Sequence, residues 1–181
     1  TDRAETGHVV EVLEANPPAG EEPVHWLLVT TEPIDASEDV WTIVDHYRAR
    51  WTTEEYYKAI KTGTEYTSLQ HRSAKTLLAA LAPSAIVAHH LLVLRYLSRQ
   101  ADDLPARVAV TTVQLTVLQT EKPDDVPDEQ PTVEDVMHGV ASLGGHISSN
   151  GPPGWQVLGR GWQRLVEYAY GFRLAMRAQE K

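Results

Sequence analysis

The stretch YRARWTTEEYYKAIK, residues 47 to 61, sets a phenol, a guanidinium, a carboxylate and an ammonium at short intervals: Tyr47, Arg50, Glu54 and Lys61. A carboxylate flanked by Arg and Lys stays ionised. Glu54 therefore suits a hard divalent cation better than it suits proton donation, because Mg²⁺ is typically held by one or two carboxylates plus substrate phosphates. Arg50, Lys58 and Lys61 suit phosphate oxygens, Arg through its bidentate fork and Lys as a point charge. Tyr47 can donate to a phosphate or orient a neighbour. A metal, a carboxylate and cationic phosphate clamps together spell phosphoryl transfer.

One helix must position these groups. At roughly 100° per residue, Tyr47, Arg50, Glu54, Lys58 and Lys61 fall within a sector of about 80°. Val40, Ile43 and Val44 fall within or near the same sector, so the charges continue the apolar stripe instead of opposing it. That is the geometry of a charged rim at the edge of a sheet. Taken by spacing alone, Glu54 and Lys58 form an i,i+4 pair of the sort that decorates many helices.

The rest of the chain supplies the frame. HVVEVLEA (8 to 15) and VHWLLVT (24 to 30) alternate as strands, and NPPAGEE between them is a turn, which predicts an antiparallel hairpin. Asp35, with Glu38 three residues on, reads as a capping box opening the charged helix, and Gly63 as its stop. Thr52 and Thr53 are candidates to bend its middle. A second helix is expected from about Ser73 to Arg99, kinked at Pro83 and buried because it is apolar nearly all round. VAVTTVQLTVLQ (108 to 119) fits a short helix or a strand. EKPDDVPDEQP reads as an exposed acidic linker. Thr132 with Asp135 caps a short helix ended by Gly144 and Gly145, and a last helix runs from about Gly161 to Arg177. The order, hairpin then mostly helices, is α+β.

Composition narrows the classes further. The chain has 181 residues and no cysteine, so no disulfide framework or thiolate metal site is available. The formal charge of −9 argues against a general nucleic-acid binder. The charge is uneven, however. From Tyr47 to Lys75 six basic residues face three acidic ones, and from Glu121 to Asp135 seven acidic residues face Lys122 alone. A locally basic patch holds phosphate even when the total is negative. No apolar run reaches the length that crosses a bilayer, so no membrane partner is expected. The start, TDRAETGHVV, lacks a signal peptide's basic head and apolar body, and the chain reads as a piece of something longer.

Tyr, two residues, Arg, three residues, Glu, six residues, Lys is the signature of bacterial insertion-sequence transposases of the cut-and-paste DDE type, and Tyr47, Arg50, Glu54 and Lys61 match it at every position. PVHWLLVTTEPI before it, and RW, EE and KAIKTG around it, resemble that family too. The resemblance is close from Pro23 to Arg99. It is weaker from Met137 onward, through LGGHISS, GWQ and the last helix.

The resemblance implies the C-terminal portion of a ribonuclease-H-like catalytic domain (residues 1–100), then a loop and acidic linker (101–131), then a helical C-terminal dimerisation region (132–181). It implies cleavage and strand transfer at transposon ends with Mg²⁺, or Mn²⁺ in its place, in the bacterial cytoplasm. Glu54 would be the catalytic third acidic metal ligand. Tyr47, Arg50 and Lys61 would hold a phosphate of the transposon end. Trp26 would stack on a flipped base, and Trp51 and Lys58 would line the DNA path. Leu165, Tyr168, Phe172 and Met176 of the last helix would pair two copies. The implied partners are transposon-end and target DNA and a second transposase, either identical or full-length.

The family also needs two strand-terminal aspartates and a basic N-terminal DNA-binding domain before this stretch. None of the upstream acids, from Asp2 and Glu5 to Asp45, has that strand context. The chain is therefore expected to be inactive alone. The rival reading is a non-catalytic truncated transposase that dimerises with, and inhibits, a full-length partner. Other chemistries have little support. His89 and His90 are neighbours and chelate poorly. His8, His25, His46, His71, His138 and His146 form no metal-site spacing, no glycine-rich phosphate loop occurs, and no G-x-S-x-G is present.

Overall fold

The computed structural model describes residues 7–68, 70, 72–100 and 103–180. Asp2, Glu5 and His71 lie outside them. The chain is α+β, with an antiparallel hairpin and five α-helices among the described residues. It divides into two compact units, up to Glu54 and from Glu55 onward.

In the first unit, β1 (His8–Leu13) pairs antiparallel with β2 (His25–Thr30), with Val10 opposite Leu28 and Glu11 opposite Leu27. Alternation puts Val10, Val12, Trp26 and Leu28 on one face, which forms a small core with Ile34, Val40, Ile43, Val44 and Tyr47. The other face leaves Val9, Leu13, Leu27 and Val29 exposed. The helix α1 (Ser37–Lys58) begins two residues after the expected cap. Its cap is Asp39, whose carboxylate accepts from the backbone N–H groups of Asp35 and Ala36, both at 2.9 Å. Asp39 does what Glu38 was expected to do, because it stands three residues after Ala36, the position from which a carboxylate reaches back. The helix continues through Thr52 and Thr53.

In the second unit, a π turn spans Ala59–Gly63, closed by the Thr64 N–H on the Ala59 carbonyl at 3.2 Å. The helical run ends at Gly63, as expected, though through this π turn and not a left-handed glycine. The helix α2 (Ala74–Leu97) spans nearly the expected residues, is capped by Ser73 and continues past Pro83. Its expected all-round burial is corrected. Ser84, Ala88, Leu91 and Leu94 are buried, whereas Leu78, Ile86 and Tyr96 are exposed. The expectation that no apolar run is long enough to cross a membrane is corrected too. By length and composition alone α2 passes that test, although one of its faces is packed in the core.

The ambiguous segment is helical: α3 (Thr112–Glu121) opens with a Thr111/Gln114 capping box. The acidic segment after it is not merely an exposed linker. Val126 is wholly buried, and the Gln119 side chain donates to the Pro127 carbonyl at 2.9 Å. One apolar residue suffices to pin a polar loop to a core. The Thr132/Asp135 capping box opens α4 (Val133–Leu143) as expected. Gly145, at φ +87°, ends it. The His146 N–H reaches the Ala141 carbonyl and the Gly145 N–H the Ser142 carbonyl, the paired bonds of a Schellman stop.

The helix α5 (Trp155–Gln179) starts six residues earlier than expected. Gly159 and Gly161 are contact points. A Cβ on Gly159 would stand 1.6 Å from the Gly63 carbonyl oxygen, and one on Gly161 would stand 1.7 Å from that of Val140. Around these approaches Leu91, Leu94, Leu118, Leu158 and Leu165 are essentially fully buried. Each contributes roughly 1.5–3 kcal/mol on a transfer scale.

Candidate functional site

The residues singled out by spacing divide between the units. Trp26, Tyr47, Arg50, Trp51 and Glu54 belong to the first, and Lys58 and Lys61 to the second. In the first unit the structure does bring them together. Arg50 Nη1 donates to Glu54 Oε1 at 2.7 Å across one helical turn. The Arg50 guanidinium also lies 5.6 Å from the Tyr47 ring centre and 5.1 Å from that of Trp51, within cation–π range of both. Tyr47 is braced in turn by Trp26, edge to face at 4.8 Å. A flexible cation is thereby held between two rings and a carboxylate, on a helix whose buried side is fixed by Ile43 and Val44.

The electrostatics follow this geometry. The hydrogen bond to Glu54 is the largest influence on Arg50 and raises its pKa above the usual guanidinium value. The side chains of Arg50 and Glu54 remain 49% and 37% exposed, so both can be reached by a ligand. Trp51 is exposed as well. Trp26 is half-buried and belongs to the small core.

In the second unit, Lys58 Nζ bonds Glu55 Oε1 at 3.0 Å, and Glu55 is the neighbour of the carboxylate that i,i+4 spacing nominated. Lys61 lies in the π turn and is exposed. The regular 100° step that placed it on the charged stripe does not hold beyond Lys58, because a π turn is wider than an α turn. A cluster that the sequence reading missed sits here. Glu55 lies between Lys58 and Arg95, the latter at 3.9 Å, and Arg95 stacks on Trp155 at 4.6 Å. The Lys58 hydrogen bond is the main reason that the Glu55 carboxyl titrates below the usual range, with Arg95 and the Trp155 indole N–H adding to it and burial opposing. Burial lowers the Arg95 pKa, the Arg99 charge adds to that, and Glu55 opposes it. The visible signal was Arg95 itself, a cation late in an apolar helix.

Of the last-helix stripe, Leu165 is wholly buried in the chain's own core. Tyr168, Phe172 and Met176 are 45%, 41% and 47% exposed.

A divalent cation needs several oxygen ligands. Glu54 offers one carboxylate with Arg50 already on it. Among the described residues no three His, Cys, Asp or Glu side chains come together to hold an ion. No protein-family model matches the chain.

Proposed function

We propose that the chain is the C-terminal part of a DDE-type transposase, working on DNA at transposon ends by metal-dependent phosphoryl transfer. The observation that carries this reading is the Tyr47–Arg50–Glu54 set. These residues stand at the signature spacing on one helix, with the guanidinium stacked between Tyr47 and Trp51 and tied to Glu54. An Arg so held is preorganised for a phosphate oxygen, and the exposed Lys58 and Lys61 add positive charge further along. Trp51 offers an exposed indole to DNA, and Trp26 contributes through Tyr47. In the ribonuclease-H-like domain of this reading, Glu54 is the third acidic ligand for Mg²⁺ or Mn²⁺, and the other ligands come from outside the described residues. The chain alone therefore binds DNA phosphate but does not cut.

The test restores what is missing. Residues 1–181 are fused behind the N-terminal half of a transposase carrying the same signature, and excision of a transposon-end substrate is assayed. Excision abolished by Glu54→Gln supports the reading. Equal excision by both proteins rejects it and leaves a salt-bridged surface helix.

A second reading has its own observation. Tyr168, Phe172 and Met176 recur every fourth residue and are exposed on α5, which fits a non-catalytic module that pairs with a second copy or a full-length transposase. Monomeric behaviour in light scattering, with no inhibition of a full-length partner in trans, removes it.

A further inference from the structure

The helical unit carries a half-open groove of about 630 Å³ between the end of the π turn, α2 and α5. That volume lies within the range of small-molecule sites. Ser84 of α2 lines the groove and is only 9% exposed, and its hydroxyl has no hydrogen-bond partner among the described residues. Unpartnered buried hydroxyls are rare and call for an explanation.

The charges of the groove are arranged for a ligand. Arg160 and Arg164, one turn apart on α5, both line it. Arg160 makes no ion pair among the described residues. Arg164 is held from behind, since one of its N–H groups goes to the Leu143 carbonyl at the C-terminal end of α4, leaving other donors of the fork free. The opposite charge is present as well. Glu65 and Glu167 both line the groove; the Gln163 amide occupies one oxygen of Glu167 at 3.0 Å, and Glu65 has both of its oxygens to meet N–H donors. Glu65 holds a φ of +55°, uncommon outside glycine, two residues past the end of a π turn. Strained backbone and π turns both gather at functional sites. Trp162 adds an indole wall.

We propose that this groove is a binding site for a nucleotide-sized phosphate ester. The two guanidinium forks take the phosphate, which their planar geometry matches. Ser84 bonds a ligand oxygen. Glu65 receives the N–H groups of the base. A bare polyanion would leave the carboxylate opposed to it, whereas a nucleotide uses both signs. The site lies within the second unit and does not rest on the transposase reading.

The test is calorimetric titration of the full chain with adenosine 5′-monophosphate, with inorganic phosphate, and with a short 5′-phosphorylated duplex. The nucleotide is expected to bind more tightly than phosphate. Arg160→Glu, at an exposed position, is expected to weaken nucleotide binding roughly tenfold or more while leaving the melting temperature unchanged. Ser84→Ala is expected to weaken it several-fold. Absence of nucleotide and phosphate binding at millimolar concentration overturns the proposal, as does equal affinity in Arg160→Glu and the parent. A duplex that competes with the nucleotide places the phosphate on a nucleic-acid end. A duplex without effect assigns the groove to a free nucleotide. Both outcomes are consistent with a phosphate-ester site.

Discussion

Arg50 and Glu54 satisfy each other across one helical turn, with Nη1 and Oε1 2.7 Å apart, at a place where both remain open to solvent. An exposed pair of this kind adds little to stability. If the helix merely carries a surface salt bridge, nothing but stability responds to its removal. If Arg50 is a phosphate clamp, binding responds instead. Arg50→Ala is expected to leave the urea midpoint within replicate error while lowering affinity for a short DNA duplex about tenfold at low salt. It should also shallow the salt dependence by close to one contact. Midpoint and binding falling together would make the pair structural.

Glu54→Gln probes the same pair from the other side. It frees Arg50 from its intramolecular acceptor and removes one negative charge beside it. In the chain alone, DNA affinity is therefore expected to rise by about two- to fivefold, the effect of one screened charge at partly exposed distance. Fluorescence anisotropy of a labelled duplex reads this directly. Weaker binding by Glu54→Gln would mean that the carboxylate holds Arg50 in its binding pose more than it competes for it.

Much of this site was legible in the sequence, and the reasons it was only partly so are physical. The spacing of Tyr47, Arg50 and Glu54 fixes them on one helical ridge whatever surrounds it. Lys61 was placed by the same arithmetic, but a π turn intervenes before it, which periodicity cannot announce. The Thr132/Asp135 cap was readable because a capping box is local. The start of α5 was not, because Gly159 and Gly161 serve contacts with residues far away in sequence. Residues 121–131 were read by their majority, whereas their fold is decided by Val126. The hairpin's alternation was visible, but not the solvent exposure of its second apolar face.

Glu55 gives a pH dependence whose sign can be worked out. Its folded pKa lies below the ordinary glutamate carboxyl value, with the Lys58 hydrogen bond as the leading cause. A depressed folded pKa contributes stability that is full above the unfolded value and is lost as pH falls through the folded one. The window is therefore from about pH 5 downward. The contribution is small, because the side chain is 35% exposed and screened. The parent chain is expected to lose more stability across that window than Glu55→Gln, measured as urea midpoints at pH 6 and pH 4. Parallel losses would place the acid sensitivity elsewhere.

Val126 decides whether the acidic segment belongs to the fold. Its side chain is completely buried, and a Cβ on Gly139 would press against it at 2.5 Å. Val126→Ala leaves a cavity there and is expected to cost on the order of 2 kcal/mol. Replacing the flanking Asp124 with Ala, on the exposed side, should fall within about 0.5 kcal/mol of the parent. A neutral Val126→Ala in chemical denaturation would return the segment to the status of a linker.

Two glycines of α5 give opposite expectations for the same substitution. At Gly171 a methyl group meets nothing within 4 Å. Gly171→Ala therefore removes only the conformational cost of glycine in a helix and should stabilise the chain by roughly 0.5–1 kcal/mol. At Gly159 the new methyl would stand 1.6 Å from a backbone oxygen of Gly63, and backbone on both sides cannot rotate away as a side chain would. The loss is expected to reach about 3 kcal/mol or more, the upper end of overpacking, and to appear as a lower melting temperature. The clash lies where α5 meets the π turn, so amide exchange should accelerate at residues 59–64 before it does in α4. If Gly159→Ala melts like the parent, the close approach of α5 to Gly63 does not hold the helical unit together. If both variants are stabilised, glycine's role in α5 is conformational at both sites and the early start of the helix needs another cause.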